Sequence, residues 1–376
     1  MIRILADDKI PFLEGVLEPI AEIRYVPGHK INREMAQQAD ALIIRTRTKC
    51  NEELLKDTPV QFIGTATIGF DHIDTHYCEK NNIHWTNAKG CNSSSVQQYI
   101  AAALLKISSQ FRFELKDKTL GIIGVGNVGS KVRKFAGIMG MNVLLCDPPR
   151  ARREGKSGFS LLGNVLRESD IITLHVPLNI VGEDKTYHLF TEKTFKKMRK
   201  GTWFINSSRG EVVDTLAIRT ALNSGKFGGA VLDVWENEPD IDLDLMGSTF
   251  IATPHIAGYS TDGKANGTAM VVNSLSSFFD LPLKNWYPVN VPLPITPLIT
   301  IDSTGKKDED VIREAVLYTY NIDEDDIKLR LSPADFEKQR GDYPLKREFT
   351  SYTVKVKSGS AEVYKKLEHL GFKVDK

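Results

Sequence analysis

His255 lies in the stretch IATPHIAGYS, between a proline and a glycine. Imidazole is the side chain whose ordinary pKa lets it change charge near neutral pH, but a lone histidine in a turn is more often structural than catalytic. Its neighbours in the second half of the chain decide the matter. INSSRGEVVD puts Arg209 just after an apolar run, LDVWENEP puts Asp233 and Glu238 after the next, and ATPHIAG puts His255 after the one following. A cation that can hold a carboxylate, an imidazole that can move a proton and a carboxylate that can orient the imidazole make a complete acid–base set. Singly these are a surface charge, a loop acid and a turn residue. Three of them at the ends of successive strands point to a reaction centre.

A second constellation stands upstream. TLGIIGVGNVGSKVRKFAGIMGMNVLLCDPP contains Gly124-x-Gly126-x-x-Gly129, with Asn127 and Val128 inside the motif. The spacing alone is weak, because turns use glycine freely. Here an apolar strand precedes it, a helix follows, and a second strand ends at Asp147, 18 residues past Gly129. In that setting the first glycine permits the turn, the second lets backbone N–H groups approach a pyrophosphate, and the third lets helix and strand pack closely. Asp147 can accept hydrogen bonds from the adenine ribose and would repel a 2′-phosphate, which favours NAD over NADP. Arg150, Arg152 and Arg153 could instead pair with such a phosphate.

Positioning these groups requires an α/β framework. RILAD, ALIIR, QFIGTA and IHWTN in the first ninety or so residues read as buried strands separated by helical stretches, hence a parallel sheet. A second set begins at Thr119 with TLGIIGV, NVLLCD, DIITLHV, TWFINSS, AVLDV and FIATP, the rhythm of a doubly wound dinucleotide-binding sheet. Ligands of such a sheet bind outside the carboxyl ends of its strands, where Arg209, Glu238 and His255 fall. Helices are expected over about 96–107 and 261–279, and in DTLAIRTALNSGK between an Asp214 cap and a Gly225 stop. Residues 281–298 are proline-rich and read as a linker; beyond them lie helices near 308–320 and 360–370 and a strand in SYTVKVK.

Composition narrows the classes. A chain of 376 residues implies two or three domains, and 41% hydrophobic with 26% charged residues fits a soluble globular protein. A net charge of +1 gives no reason to invoke nucleic acid or a membrane surface. Cys50, Cys78, Cys91 and Cys146 show neither metal-ligand nor disulfide spacing, so no metal is expected and the thiols read as reduced. With no signal-peptide core and no membrane-length apolar run, a cytoplasmic location is expected.

GIIGVGNVG, NSSRGEVVD, VLDVWENEP and TPHIAGYS, in this order, resemble the D-isomer-specific 2-hydroxyacid dehydrogenase family up to about residue 285. The resemblance implies a flavodoxin-like substrate domain, a Rossmann NAD domain and, in the branch with an extra C-terminal part, a small α+β dimerisation domain. On this chain these become residues 1–95 with 259–285, 96–258 and 286–376. It also implies that Arg209, Glu238 and His255 are catalytic, and that Asp147, Asp233, Gly258 and the segment around Ser207 and Ser208 contact NAD. Thr46, Thr67 and Tyr259 would meet the substrate, a phosphorylated small molecule, with Arg45 a candidate for its phosphate. The implied assembly is a homodimer, and a chain ended near Pro288 should be a monomer. Two other readings stay open: a phosphoglycerate dehydrogenase-like enzyme, and an NAD-sensing corepressor-type protein that keeps the fold for binding.

Overall fold

A computed structural model describes residues 1–375. The chain divides into two compact units, Met1–Asn92 with Ser260–Pro292, and Ser93–Tyr259 with Leu293 onward.

The first unit is built on a five-stranded sheet of β1 (Arg3–Asp7), β2 (Glu22–Val26), β3 (Ala41–Ile44), β4 (Phe62–Thr65) and β5 (His84–Asn87). Its order is β2-β1-β3-β4-β5 with every pair parallel, the flavodoxin-like arrangement. The central strands read as unbroken apolar runs because both faces are covered. Ile4, Ala6, Ile43 and Phe62 join one core cluster, and the alternate residues Leu5, Leu42, Ile44 and Ile63 join another. Helix 261–278 covers the first face through Val271, Val272 and Leu275. Gly64 makes room for it, since a Cβ there would stand 2.5 Å from Val271. β2 was not foreseen: as an edge strand it keeps charged residues, and EIRYV carries no apolar run.

The second unit holds a six-stranded sheet of β6 (Thr119–Ile123), β7 (Asn142–Cys146), β8 (Ile171–Leu174), β9 (Trp203–Asn206), β10 (Gly229–Leu232) and β11 (Ile251–Ala252). Its order is β11-β10-β9-β8-β6-β7, parallel throughout, with the direction of winding reversing between β6 and β8. All six strands coincide with stretches read from sequence, β10 starting one residue earlier, at Gly229. Helix 93–110 is buried on every side, with Tyr99 through Leu105 fully enclosed. Helix 215–223 begins on the Asp214 side chain, which accepts from the Ala217 N–H at 2.9 Å. Gly225, just past it, takes φ +67°.

The C-terminal residues belong to this same unit. A three-stranded parallel sheet, β12 (Leu298–Asp302), β13 (Thr353–Lys357) and β14 (Lys373–Asp375), is packed with helices 308–319 and 361–370. β12 starts on Leu298, the last residue of the stretch read as a linker. Val311, Ile312, Ala315 and Val316 share one core cluster with Ile100, Leu104 and Ile107 of helix 93–110. Polar ties reinforce the seam: Gln98 Nε2 donates to Thr319 Oγ1 at 2.8 Å, and Asp326 accepts from the Ala252 N–H at 2.7 Å, occupying the outer strand β11.

Candidate active site

The glycine turn follows β6 and opens helix 127–138. Gly124 takes φ +87°, and a Cβ on it would meet the His175 carbonyl at 2.4 Å. Gly129 packs so closely that a Cβ would lie 2.0 Å from the Gly124 carbonyl. At Gly126 a Cβ would meet no atom within 4 Å, so this backbone faces open space. The turn therefore fits a pyrophosphate: two glycines are demanded by the fold and the middle one only by what approaches from outside.

Asp147 directly follows β7 and is tied to that turn, accepting from the Val125 N–H at 2.8 Å and the Arg150 N–H at 3.0 Å. The nearby arginines are engaged with carboxylates. Arg150 and Arg153 pair with Glu154, and Arg152 with Asp184 and Glu183. Their charge is thus partly neutralised, which favours the aspartate's preference for NAD. Ser207 adds a further opening, since its hydroxyl is buried without a partner. Ser208 instead bonds inward, its N–H and Oγ both donating to Asn206 Oδ1 at 3.0 and 2.8 Å.

The acid–base residues stand at the carboxyl ends of β9, β10 and β11, which share one edge because the strands are parallel. His255 Nδ1 is 2.7 Å from Glu238 Oε2. A carboxylate only accepts, so Nδ1 carries the proton and Nε2 is left as the base. Glu238 is fixed in turn by the Trp235 N–H, which donates to Oε1 at 2.9 Å. The His255 side chain is 30% exposed and Glu238 18%, enough for a ligand to reach the imidazole while its partner stays sheltered. The histidine backbone has φ +56°, a left-handed conformation of the kind stored at functional sites.

Asp233 holds that conformation. It is buried, and its carboxylate accepts from Thr253 Oγ1 at 2.7 Å and from the Ile256 and Ala257 N–H groups at 2.8 and 2.9 Å, while its carbonyl accepts from the His255 N–H at 2.7 Å. Thr253, having spent its proton, accepts from the Tyr99 hydroxyl at 2.8 Å. Burial raises the Asp233 pKa, against the opposing pull of His255 and of these hydrogen bonds. With three bonds made, such a carboxylate keeps one acceptor position for a cofactor amide. Gly258 follows directly on this pinned turn.

Arg209 is half-buried and donates through Nη1 to the Ser208 carbonyl at 2.8 Å. Its loop sits against the Glu238 loop because Gly210 has no side chain; a Cβ there would lie 1.9 Å from Trp235 backbone. A second imidazole–carboxylate pair, His188 with Glu236 at 2.6 Å, was missed from sequence. Glu236 also accepts from the Thr215 N–H at 2.8 Å, so this pair braces the loop after Arg209. Glu238 pairs with His255, and Glu236, two residues earlier, with His188. His175 is a contrasting case: burial pushes it down to about 3, leaving a neutral structural imidazole.

The candidate substrate residues of the first unit are differently placed. Thr67 shares a hydrogen bond of 2.7 Å with Thr65 and donates to the Gly69 carbonyl at 3.1 Å, shaping the turn after β4. Thr46 is exposed after β3, whereas Thr48 is buried and donates to the Gly28 carbonyl at 2.9 Å. Arg45 is half-buried and donates to the Lys9 carbonyl at 3.1 Å. Burial and the Arg45 charge together lower the pKa of Lys264, a cation near Arg45 that sequence reasoning passed over. The chain turns at Thr46 and Arg47 instead of continuing β3.

Residues 93–257 match the family described as D-isomer specific 2-hydroxyacid dehydrogenase, NAD binding domain, and residues 292–371 match a domain family of unknown function. The erythronate-4-phosphate dehydrogenase of Bacteroides thetaiotaomicron is 50% identical over 354 residues, covering 94% of this chain and 99% of the relative. The chain belongs to the erythronate-4-phosphate dehydrogenase family. The Proteus mirabilis enzyme of that name is 41% identical, covering 94% of each chain. Among solved structures, D-lactate dehydrogenase from Aquifex aeolicus, complexed with NAD and lactic acid, is 28% identical with a TM-score of 0.59, over 74% of this chain and 95% of that one. The protein is thus an NAD-dependent dehydrogenase of the 2-hydroxyacid class. Among the described residues, no helix is long and apolar enough to cross a membrane.

Proposed function

We propose that the chain oxidises 4-phospho-D-erythronate to 3-hydroxy-2-oxo-4-phosphooxybutanoate, a step in the supply of pyridoxal 5′-phosphate, in the cytoplasm. The observation that carries the chemistry is the 2.7 Å bond between His255 Nδ1 and Glu238 Oε2, which leaves Nε2 as a base. The substrate rests on the names of the relatives, 50% and 41% identical over 94% of this chain.

Gly124, Gly126, Asn127, Val128 and Gly129 with Asp147 would hold NAD, joined by Ser207, Ser208, Asp233 and Gly258. Bound NAD supplies the acceptor for the hydride leaving C2. His255 Nε2 removes the C2 hydroxyl proton, and Glu238 stabilises the imidazolium that forms. Arg209 pairs with the carboxylate and polarises the forming carbonyl. Thr46, Thr67 and Tyr259 contact the substrate, and Arg45 is a candidate for its phosphate. Residues 1–95 with 259–285 act as the substrate-binding domain and 96–258 as the NAD domain.

The working form is a homodimer joined through residues 286–376. Tyr318, Ile327, Leu331 and Leu345 support this reading as large apolar side chains exposed on that segment. Replacing Leu331 by Asp should then shift the sedimentation profile toward the monomer, and an unchanged profile would put the interface elsewhere.

The deciding assay follows NADH absorbance with erythronate 4-phosphate, 3-phosphoglycerate and erythronate. Fastest turnover of erythronate 4-phosphate is expected. Preference for 3-phosphoglycerate would replace the substrate, and NAD binding with no turnover of any acid would favour a sensing role.

A further inference from the structure

The short helix 336–341 of the C-terminal segment brings a cation to the histidine loop. Arg340 Cζ lies 5.9 Å from the ring centroid of Tyr259, four residues past His255. Tyr343 meets the same ring edge-on, with centroids 5.7 Å apart and planes at 89°. The wall behind is rigid. The Tyr343 and Tyr320 hydroxyls both donate to Asp325 Oδ2, at 2.7 and 3.0 Å, and Lys346 Nζ sits 4.0 Å over the Tyr320 ring.

Arg340 itself is under-used. Nη1 is held by Glu337 at 2.6 Å, a carboxylate 53% exposed, while Nε is buried and donates to nothing. Burial works against its charge, but Tyr259, Glu337 and Glu238 outweigh it and the guanidinium stays protonated. A buried guanidinium N–H without an acceptor is costly unless something else brings one. An exposed ion pair such as that with Glu337 is weak and gives way to a better anion.

Resting on the reading of the substrate as a phosphorylated 2-hydroxy acid, we infer that Arg340 and Tyr259 form a subsite for its phosphate group. The substrate has two anionic ends. The carboxylate is bonded to the carbon whose hydroxyl faces His255, where Arg209 is its cation. The phosphate is the other end, a dianion whose oxygens match the planar fork of a guanidinium. The C-terminal segment thereby takes part in substrate selection.

The test uses the full chain with Arg340→Ala and Arg340→Lys. In steady state, Arg340→Ala should lower kcat/KM for erythronate 4-phosphate about 10- to 100-fold, mainly through KM, with less than about threefold change for erythronate. Arg340→Lys should recover part of the loss, and NAD affinity should not move. Calorimetric titration with erythronate 4-phosphate should show the same weakening without turnover. Equal losses on both acids, or no loss, would overturn the subsite. If the wild type binds erythronate 4-phosphate but does not oxidise it, the proposed activity fails while the titration still decides Arg340; if it does not bind, both fail. Glu337→Ala, which leaves Arg340 in place, should tighten binding about twofold or more. Unchanged or weaker binding in that variant would also overturn the subsite.

Discussion

His255 is fixed at two points, by Asp233 through its backbone and by Glu238 through its ring. The two points fail differently. His255→Asn should keep NAD binding and lose about 100-fold or more in kcat, the ordinary share of a positioned base; near-normal turnover would remove the histidine from the mechanism. Glu238→Gln should cost kcat with the fold intact, whereas Glu236→Gln should lower thermal stability and leave the proton step alone, a difference that paired kcat and melting measurements would show. Arg209, Glu238 and His255 stood out in sequence because each sits in its own short context after a strand. The pinning by Asp233, Thr253 and Tyr99 was not, because it joins residues 20 and 154 positions apart through buried hydrogen bonds.

The glycine turn separates folding from binding along one short element. Gly124→Ala forces a side chain into a left-handed position against the His175 carbonyl, so it should destabilise the protein. Gly126→Ala meets open space and should melt like the wild type, yet raise KM for NAD about tenfold or more by blocking the pyrophosphate. Equal NAD affinity in that variant would displace the cofactor from this turn. Asp147→Ser should narrow the preference for NAD over NADP, measured as the ratio of kcat/KM values. The motif and its strands were plain from pattern, as parallel strands buried on both faces are. What pattern could not supply was the pairing of Arg150, Arg152 and Arg153, because the partners of Arg152 lie in a loop some thirty positions away.

Taken whole, the molecule makes its last residues part of the second unit's core. A chain ended near Pro288 loses the cover that Val311, Ile312, Ala315 and Val316 give to helix 93–110. Each large apolar side chain re-exposed costs about 1.5–3 kcal/mol, and several together rival the roughly 5–15 kcal/mol that holds a domain. Such a chain should unfold or aggregate on purification; a soluble, well-folded monomer would refute this. Lys346 gives a pH signature of the same seam. Burial pushes its ammonium down to about 8 from 10.5, so the charged form is disfavoured in the folded state. That penalty is full below pH 8 and fades as the unfolded lysine also loses its proton toward pH 10.5. The stability of the wild type relative to Lys346→Met should therefore rise by about 2 kcal/mol between pH 7.5 and pH 10, read by urea unfolding. The charged C-terminal segment showed two of its helices in sequence, near 308–320 and 360–370, but not helices 322–331 and 336–341 nor this seam, since an apolar helix face does not say what it will cover.

The discontinuous layout also constrains how the protein is made. The first unit needs helix 261–278 to cover the sheet built from residues 3–87, and the second needs residues from 298 onward to cover helix 93–110. On a ribosome adding about 5–20 residues per second, the opening sheet must wait roughly ten seconds or more with one face bare. Neither unit can close until its later piece has emerged, so stalled nascent chains shorter than about 300 residues should be protease-sensitive throughout, and holding factors that cover apolar strands should find their target in the emerging N-terminal segment.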